Sequence, residues 1–216
     1  MRIKMVDVNL SEEEQVEALK KWWRENGKSV IGGAVIGLGI VFGWRAWVDH
    51  NQGVAEQASY QFEQLNKTLA VGANESAVKQ AEQIIADYAD STYAVFAALN
   101  LAKVKLEQDD KAGARVELKW ALEHSPDPGL KQIAGLRLAR LMLDDGDIDG
   151  AATLVAQTPL NSFKGELAEL RGDIALAKGD KAAARSAYQE ALDSLDGNTA
   201  IIKMKLDDLA VATNNS

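Results

Sequence analysis

The sequence predicts an all-α protein with a single transmembrane helix near its N-terminus, followed by an α-solenoid. Three observations lead to this prediction. Residues 29–44 carry no charged side chain. From residue 50 onward, apolar residues recur at the i, i+3, i+4 and i+7 spacing of amphipathic helices, and no segment alternates as a strand would. In the second half of the chain, a pattern of small and turn-forming residues returns after 37 and then 33 residues, which is typical of stacked helical pairs.

The stretch GGAVIGLGIVFGWRAWV, residues 32–48, has three possible interpretations. A phosphate-binding glycine loop would need a strand before it and a βαβ unit around it, whereas the flanking segments here predict helices. A removable export signal would need a short leader and a small-x-small cleavage site, whereas this leader has 28 residues and the stretch ends in bulky Trp44 and Trp47. A transmembrane helix over residues 29–48 is favoured, because its length at about 1.5 Å per residue matches the roughly 30 Å bilayer core.

Aromatic residues mark both ends of this predicted span. Trp22 and Trp23 precede it, and Trp44 and Trp47 close it, as in the aromatic belts at membrane–water interfaces. The side chain of Arg45 is long enough to carry its guanidinium to the headgroups. We therefore expect these five residues to lie at the membrane interface of the lipid bilayer.

The glycines of the span have the spacing of a helix-packing surface. Gly33 and Gly37 form one small-xxx-small pair, and Gly39 and Gly43 form another. Such pairs let a second helix approach closely in lipid. Glycine is also common in membrane helices in general, so the sequence leaves open whether a specific helix packs here.

The distribution of basic residues predicts the orientation of the span. Four basic residues lie between positions 20 and 28, before the uncharged stretch. On its other side, only Arg45 and Lys67 occur within the next 20 or so residues. The positive-inside rule then places residues 1–28 in the cytoplasm. Residues 49–216 are expected on the other side, which in a Gram-negative cell is the periplasm.

Residues 1–28 predict a short amphipathic helix. Ser11 and Glu14 have the spacing of a capping box, and apolar residues then repeat at helical spacing between positions 16 and 23. We expect this helix to lie against the cytoplasmic membrane surface and to end near Gly27.

Turn-forming residues divide the rest of the chain into predicted helices. The breaks fall at residues 72–74, 125–129, 145–147, 179–180 and 196–198, which are rich in Gly, Pro, Asp and Asn. The predicted helices span residues 53–70, 75–89, 91–108, 111–124, 129–144, 148–157, 161–178, 180–194 and 199–211.

The clearest repeat lies between Gly172 and Leu192. Its small residues, its Gly179-Asp180 turn and its Tyr188 resemble the tetratricopeptide repeat, in which small residues let two helices pack closely and a large residue fills the gap. Equivalent positions occur earlier in the chain, so that three repeats are recognisable. Residues 53–89 have room for a fourth, degenerate pair, and the helix after Asn198 is expected to cap the solenoid.

Composition narrows the classes of function. The formal net charge is −8, and it falls entirely after residue 28. Nucleic acid is therefore an unexpected partner, because phosphate binding needs concentrated Lys and Arg. Cysteine is absent, and His50 and His124 are too far apart for a metal-binding pair. Neither a nucleophile–base pair nor a complete calcium loop around Asp144, Asp145 and Asp147 is recognisable, so we expect no enzyme, cofactor, metal site or small-molecule substrate.

A solenoid of this kind offers a concave surface for binding proteins, formed mainly by the first helix of each pair. Several of its residues could equally belong to the core between repeats. The candidate protein-binding residues are Phe96, Leu99, Lys103, Ile133, Leu136, Arg140, Glu169 and Asp173, with Leu106, Leu143 and Leu176 on the same helical faces.

The segment ENGKSVIGGAVIGLGIVFGWRAWVDHNQ, residues 25–52, closely resembles the membrane anchor of the YfgM family. The matching features include the glycine-rich span, the Gly43-Trp44-Arg45 sequence and Trp47. The stretches at residues 137–140 (RLAR) and 179–181 (GDK) are also similar to that family. The resemblance extends over nearly the whole chain, and the anchor is its specific part.

This resemblance implies an ancillary subunit of the SecYEG translocon. Members of the family are single-span proteins of the inner membrane with a cytoplasmic N-terminus and a periplasmic repeat domain. The resemblance further implies PpiD and exported client proteins as partners and transfer of those clients to periplasmic chaperones; a link to Rcs stress signalling is ascribed more weakly. From the residues alone, an envelope scaffold or stress-signalling protein acting through its repeats remains the alternative.

Overall fold

The computed structural model describes residues 12–158, 163–195 and 199–214, which are helices and short turns with no strand. The chain divides into two compact units, one ending at Gly53 and the other beginning at Val54. The helices of the described residues are α1 (Glu12–Ala70), α2 (Asn74–Asp87), α3 (Thr92–Glu107), α4 (Lys111–His124), α5 (Pro128–Asp144), α6 (Ile148–Gln157), α7 (Lys164–Ala177), α8 (Lys181–Ser194) and α9 (Ala200–Asn214). The predicted all-α class is confirmed.

Helix α1 corrects the predicted helix boundaries near the N-terminus. Three helices were expected there, one ending near Gly27, the transmembrane helix over residues 29–48 and one beginning at residue 53, but a single helix runs from Glu12 to Ala70. Glycine in a helix interior costs only about 1 kcal/mol, and the indole of Trp23 covers Gly27. The helix instead ends where Gly72 adopts a positive φ of 71°. The proposed capping residue Ser11 lies outside the described residues.

The same turn closes the first helix of each recognisable repeat. One residue per turn has a left-handed backbone, with φ of 63° at Asp109, 82° at Gly146 and 80° at Gly179. The amide N–H of the following residue then donates to a carbonyl in the preceding helix; for Asp180 the acceptor is Ala175, at 2.9 Å. Glycine favours this conformation because it has no β-carbon, whereas Asp109 adopts it at some cost.

An aspartate then begins the second helix of each repeat. The carboxylates of Asp110, Asp147 and Asp180 accept hydrogen bonds from the backbone N–H three residues later, at 2.8, 3.1 and 2.9 Å. Such N-caps contribute about 1 kcal/mol each. The sequence repeat is therefore also a repeat of turn geometry.

Small residues bring the two helices of each repeat close together. Ala114, Ala151 and Ala184 occupy equivalent positions in the second helices and are all fully buried. One helical turn later, the large equivalent residues Leu118 and Val155 contribute to the central core. This arrangement is the one that the repeat pattern predicts.

The two ends of the solenoid are closed by different elements. At one end, Leu65 of α1 packs in a core with residues of α2 and α3, so residues 54–87 form the expected fourth pair. At the other end, Ile202, Leu206 and Leu209 of α9 pack on the last repeat. Ile201 and Met204, on the other face of α9, are exposed.

Candidate protein-binding surface

A groove of about 410 Å³ lies between α3 and α5. Its floor is apolar and consists of Leu99, Ala102, Leu106, Leu118 and Leu141. Four of these residues are buried in the core, whereas Leu106 is 40% exposed. The groove therefore presents apolar surface that no other part of the described chain covers.

Basic side chains form the rim of this groove. Lys103 lies on the α3 side, and Arg137 and Arg140 lie on the α5 side. Lys103 is exposed and pairs only loosely with Glu107, at 3.7 Å. Among the described residues, no ion pair engages Arg137. We conclude that the rim is positive although the chain as a whole carries a net charge of −8.

The carboxylate at the end of the groove does not neutralise this rim. Asp144 lines the groove but pairs with Lys111, which lies on α4, and Lys111 also lies 3.4 Å from Asp145. The hydrogen bond with Asp144 is the main reason why the pKa of Lys111 is raised above its usual value.

The groove brings together four of the residues that the sequence predicted for binding, namely Leu99, Lys103 and Arg140, with Leu106 from the same helical face. Phe96 lies nearer the start of α3, in an aromatic cluster with Phe62 at 5.6 Å and Tyr93 at 6.4 Å between ring centroids. Leu136 is buried in the central core, and the half-buried Ile133 packs against that core. None of these three residues lines the groove, and their role in binding stays a prediction.

Glu169 and Asp173 lie in the last repeat, where the cap helix engages them. The ammonium of Lys205 on α9 donates to Glu169 Oε1 at 2.7 Å and to Asp173 Oδ1 at 2.7 Å. Tyr188 donates its hydroxyl hydrogen to the same Asp173 oxygen at 2.8 Å. Arg140 reaches Glu169 at 3.8 Å. Both carboxylates are therefore already paired within the chain.

The environment of this cluster shifts two pKa values upward. Burial, followed by the hydrogen bond with Asp173, raises the pKa of the Tyr188 hydroxyl well above its usual value. For Lys205, burial opposes the charged form, but the hydrogen bonds and charges of Asp173 and Glu169 outweigh it, so its pKa is also raised. Both groups are thus held in their protonated forms, neutral tyrosine and charged lysine.

The tyrosine of this cluster depends on a glycine. Tyr188 is fully buried, and a β-carbon on Gly172 would lie 2.3 Å from its ring carbon Cε1. Two non-bonded carbon atoms cannot lie this close, so the size of Tyr188 requires glycine at position 172. The two residues are repeat equivalents of Ala139 and Val155, where the small residue is larger than glycine and the large residue is smaller than tyrosine.

In the N-terminal unit, the predicted span is helical throughout, which excludes a phosphate-binding loop. Within the described residues, α1 is the one helix that is long and apolar enough to cross a membrane. Apart from the adjoining residues and nearby backbone of α1 itself, no atom lies within 4 Å of the β-carbon position of Gly33, Gly37, Gly39 or Gly43. These glycines are therefore sterically open to a partner helix, and their packing role stays a prediction.

The aromatic residues flanking the span form two pairs on α1. The ring centroids of Trp22 and Trp23 are 6.3 Å apart, and those of Trp44 and Trp47 are 5.2 Å apart. All four side chains are exposed, as is that of Arg45. A location at a membrane interface requires such exposure, but exposure alone does not test that location, which stays a prediction.

Two other features of the sequence have structural roles. Asp147 caps α6 and pairs with Arg115 at 2.5 Å, and this hydrogen bond is the main cause of its lowered pKa. The ring of His124 stacks on Trp120, with 4.4 Å between centroids. No group of three potential metal ligands occurs among residues 12–158, 163–195 and 199–214.

Sequence reasoning missed two important residues. Arg137 is one helical turn from Arg140 and could have been found from its position on the first helix of a repeat. Lys205 could not have been found in this way, because its role depends on how α9 packs against α7. No repeat pattern specifies the side chain that the cap helix brings to the surface.

The fold is that of a tetratricopeptide repeat-like α-solenoid, and comparison with known proteins agrees. A family model described as a tetratricopeptide repeat-like domain matches residues 20–211. A protein named ancillary SecYEG translocon subunit from Haemophilus influenzae is 38% identical over 205 residues, which cover 93% of this chain and 98% of that protein.

Two further relatives carry the same name. The Escherichia coli protein is 31% identical, with 95% of this chain and 100% of the relative covered. The Aggregatibacter actinomycetemcomitans protein is 33% identical, with 93% and 98% covered. The chain therefore belongs to the family of ancillary SecYEG translocon subunits, and the family resemblance noted from the sequence is confirmed.

Proposed function

We propose that this protein is a membrane-anchored, non-catalytic adaptor of the SecYEG translocon. The observation that carries the proposal is the match, over nearly the full length of both chains, to relatives named as ancillary subunits of that translocon. The long apolar helix α1 supports anchoring in the membrane. The groove between α3 and α5 supports protein binding, because it combines an apolar floor with charged side chains at its rim.

In this proposal, each part of the chain has a separate task. Residues 1–28 lie at the cytoplasmic surface, residues 29–48 cross the inner membrane, and residues 49–216 form the periplasmic repeat domain. The anchor holds the repeat domain beside the exit of the export channel and so raises its effective concentration for emerging chains. The partners are SecYEG, the chaperone PpiD and exported client proteins, which are passed to periplasmic chaperones.

Site-specific photocrosslinking in native membranes tests the association with the translocon. A photoreactive residue at Gly33 or Gly39 is expected to crosslink to a translocon subunit or PpiD, because the glycine positions leave room for close approach. The matched control carries the probe at Leu38, an exposed position of the same span. Absence of crosslinks to SecYEG and PpiD from every position in the chain would refute the adaptor role.

Protease protection tests the orientation separately. Protease added to spheroplasts is expected to digest the chain after residue 51 and to leave a small fragment that contains the span. Digestion only after the membrane is opened would show that the repeat domain is cytoplasmic. This outcome would overturn the topology whatever the crosslinking result.

A further inference from the structure

The last repeat shows how this solenoid holds a helix on its surface. There α9 contributes apolar Ile202 and Leu206 to the core and a single cation, Lys205, to the carboxylates of Glu169 and Asp173. Apolar contact holds the helix, and opposite charges set its position. This docking takes place entirely within the described chain.

Four positions of the earlier repeats correspond to these two carboxylates; three of them line the α3–α5 groove, and two carry the opposite charge. In the repeat register, Asp173 corresponds to Arg140 and Lys103, and Glu169 corresponds to Leu136 and Leu99. The carboxylates of the last repeat are thus replaced by two cations and two leucines. Arg137 adds a third cation to the rim. Helix α5 packs on α4 as α9 packs on α8. Among the described residues, however, no carboxylate of α5 pairs with Lys103, and the groove between α3 and α5 stays open.

We propose that the α3–α5 groove binds a protein segment whose apolar side chains are flanked by carboxylates. The apolar side chains contact Leu106 and the leucines of the floor, and the carboxylates pair with Lys103, Arg137 and Arg140. The volume of about 410 Å³ suits a few large side chains rather than a folded domain. Cationic segments are disfavoured by the rim, which gives the surface a preference among protein partners.

The inference extends the proposed function, because it takes the groove as the binding surface of the adaptor and specifies the chemistry of what binds there. It rests on charge complementarity within the groove. It requires neither SecYEG nor PpiD to be the occupant. The adaptor role and the binding preference of the groove can therefore fail separately.

Peptide binding to the full chain in nanodiscs tests the groove directly. The probe is a fluorescent helical peptide with leucines along one face and glutamates on both flanks. Its control has the same leucines with lysines on the flanks. We expect saturable binding of the acidic peptide, with an affinity at least about tenfold higher than that of the basic peptide at low salt. The difference is expected to shrink as salt screens the rim.

Two matched pairs of variants locate the binding site. Leu106→Asp places a negative charge in the groove, and Leu176→Asp makes the same change at the repeat-equivalent position; the two leucines are 40% and 42% exposed. Lys103→Gln removes a rim cation, and Lys119→Gln removes a cation of similar exposure that also pairs loosely with a glutamate four residues on. Leu106→Asp is expected to weaken binding at least about tenfold and Lys103→Gln a few-fold. Both controls are expected to bind as the parent does.

Three outcomes would overturn the inference. The acidic and basic peptides could bind equally, or Leu176→Asp could weaken binding as much as Leu106→Asp. Alternatively, the acidic peptide could fail to bind while Leu106→Asp converts a dimer to a monomer, which would show that a second copy covers the groove. Because crosslinking to SecYEG is measured independently, failure of peptide binding would leave the proposed adaptor role standing.

Discussion

The α3–α5 groove and the last repeat share the same repeat geometry, but the groove is open, whereas the carboxylates of the last repeat are paired within the chain. In the groove, the repeat positions hold Leu99 and Lys103, and the surface stays open. In the last repeat, they hold Glu169 and Asp173, which Lys205 of α9 neutralises at 2.7 Å each. Repeat geometry thus sets where side chains lie, whereas residue identity decides whether the surface is closed by the chain itself.

The charged residues of the two regions therefore differ in burial and in pairing. The charges of the last repeat are partly buried and mutually paired, so they contribute to stability. The rim charges of the groove are exposed and loosely paired, so they contribute little to stability. They remain free to act on a partner, which is why substitutions in the two regions are expected to have different effects.

The largest effect is expected from Gly172→Ala in the last repeat. The added β-carbon would displace the Tyr188 ring and destabilise the repeat domain by about 2 kcal/mol, a typical cost of overpacking. Pulse proteolysis of the full chain in urea measures this change. Gly172→Ala combined with Tyr188→Leu is expected to regain part of the loss, since the earlier repeats use smaller residues there. If the single variant is as stable as the parent, Tyr188 does not require the glycine.

A smaller effect is expected from Lys205→Met. This change keeps the apolar stem but leaves Asp173 without a cation and Glu169 with only the loose Arg140 pair, at a cost of about 1–2 kcal/mol for partly buried carboxylates. Hydrogen exchange should show faster opening of α9 with little change in α3–α5. Lys178→Met, which removes an exposed ion pair with Asp149, is the control and should change nothing measurable. Equal effects of both variants would contradict the distinction between buried and exposed charges.

Alkaline pH provides a test of the same cluster without a change in size. Tyr188 and Lys205 have raised pKa values in the folded chain, so their contribution is complete below their unfolded pKa values of about 10 and 10.4. It is lost as the pH rises through the folded values. The free energy of unfolding should therefore fall above about pH 10, and the fall should be shallower in Tyr188→Phe. A parallel fall in parent and variant would exclude Tyr188 as a contributor.

The smallest effect is expected at the repeat turns. Asp109→Gly should stabilise the domain by up to about 0.5–1 kcal/mol, because glycine adopts a positive φ without strain. Gly179→Ala should destabilise it by about 1 kcal/mol for the converse reason. Thermal unfolding of the full chain in nanodiscs can compare the two variants. Stabilisation by both changes would show that the left-handed turns are not equivalent.

Most of the fold could be predicted because it depends on local patterns. Helix boundaries after residue 70 follow turn residues whose preferences act within a few positions, as at Gly146 and Asp147. The end predicted near Gly27 was wrong, because a glycine alone does not stop a helix that continues on both sides. The groove could be predicted only in part. Leu99, Lys103 and Arg140 were recognised from the repeat register, while Arg137 was not chosen.

The sequence by itself determined the helical class, the repeat register and the apolar span, because periodicity and spacing are properties of the chain alone. The resemblance of the anchor segment indicated the family. Only the tertiary structure decided which equivalent positions stay open and which are paired. That decision depends on contacts between residues far apart in the chain, such as Lys205 with Glu169, and on the space that Gly172 leaves for Tyr188. Such contacts are set by the packing of whole helices, which no local pattern specifies.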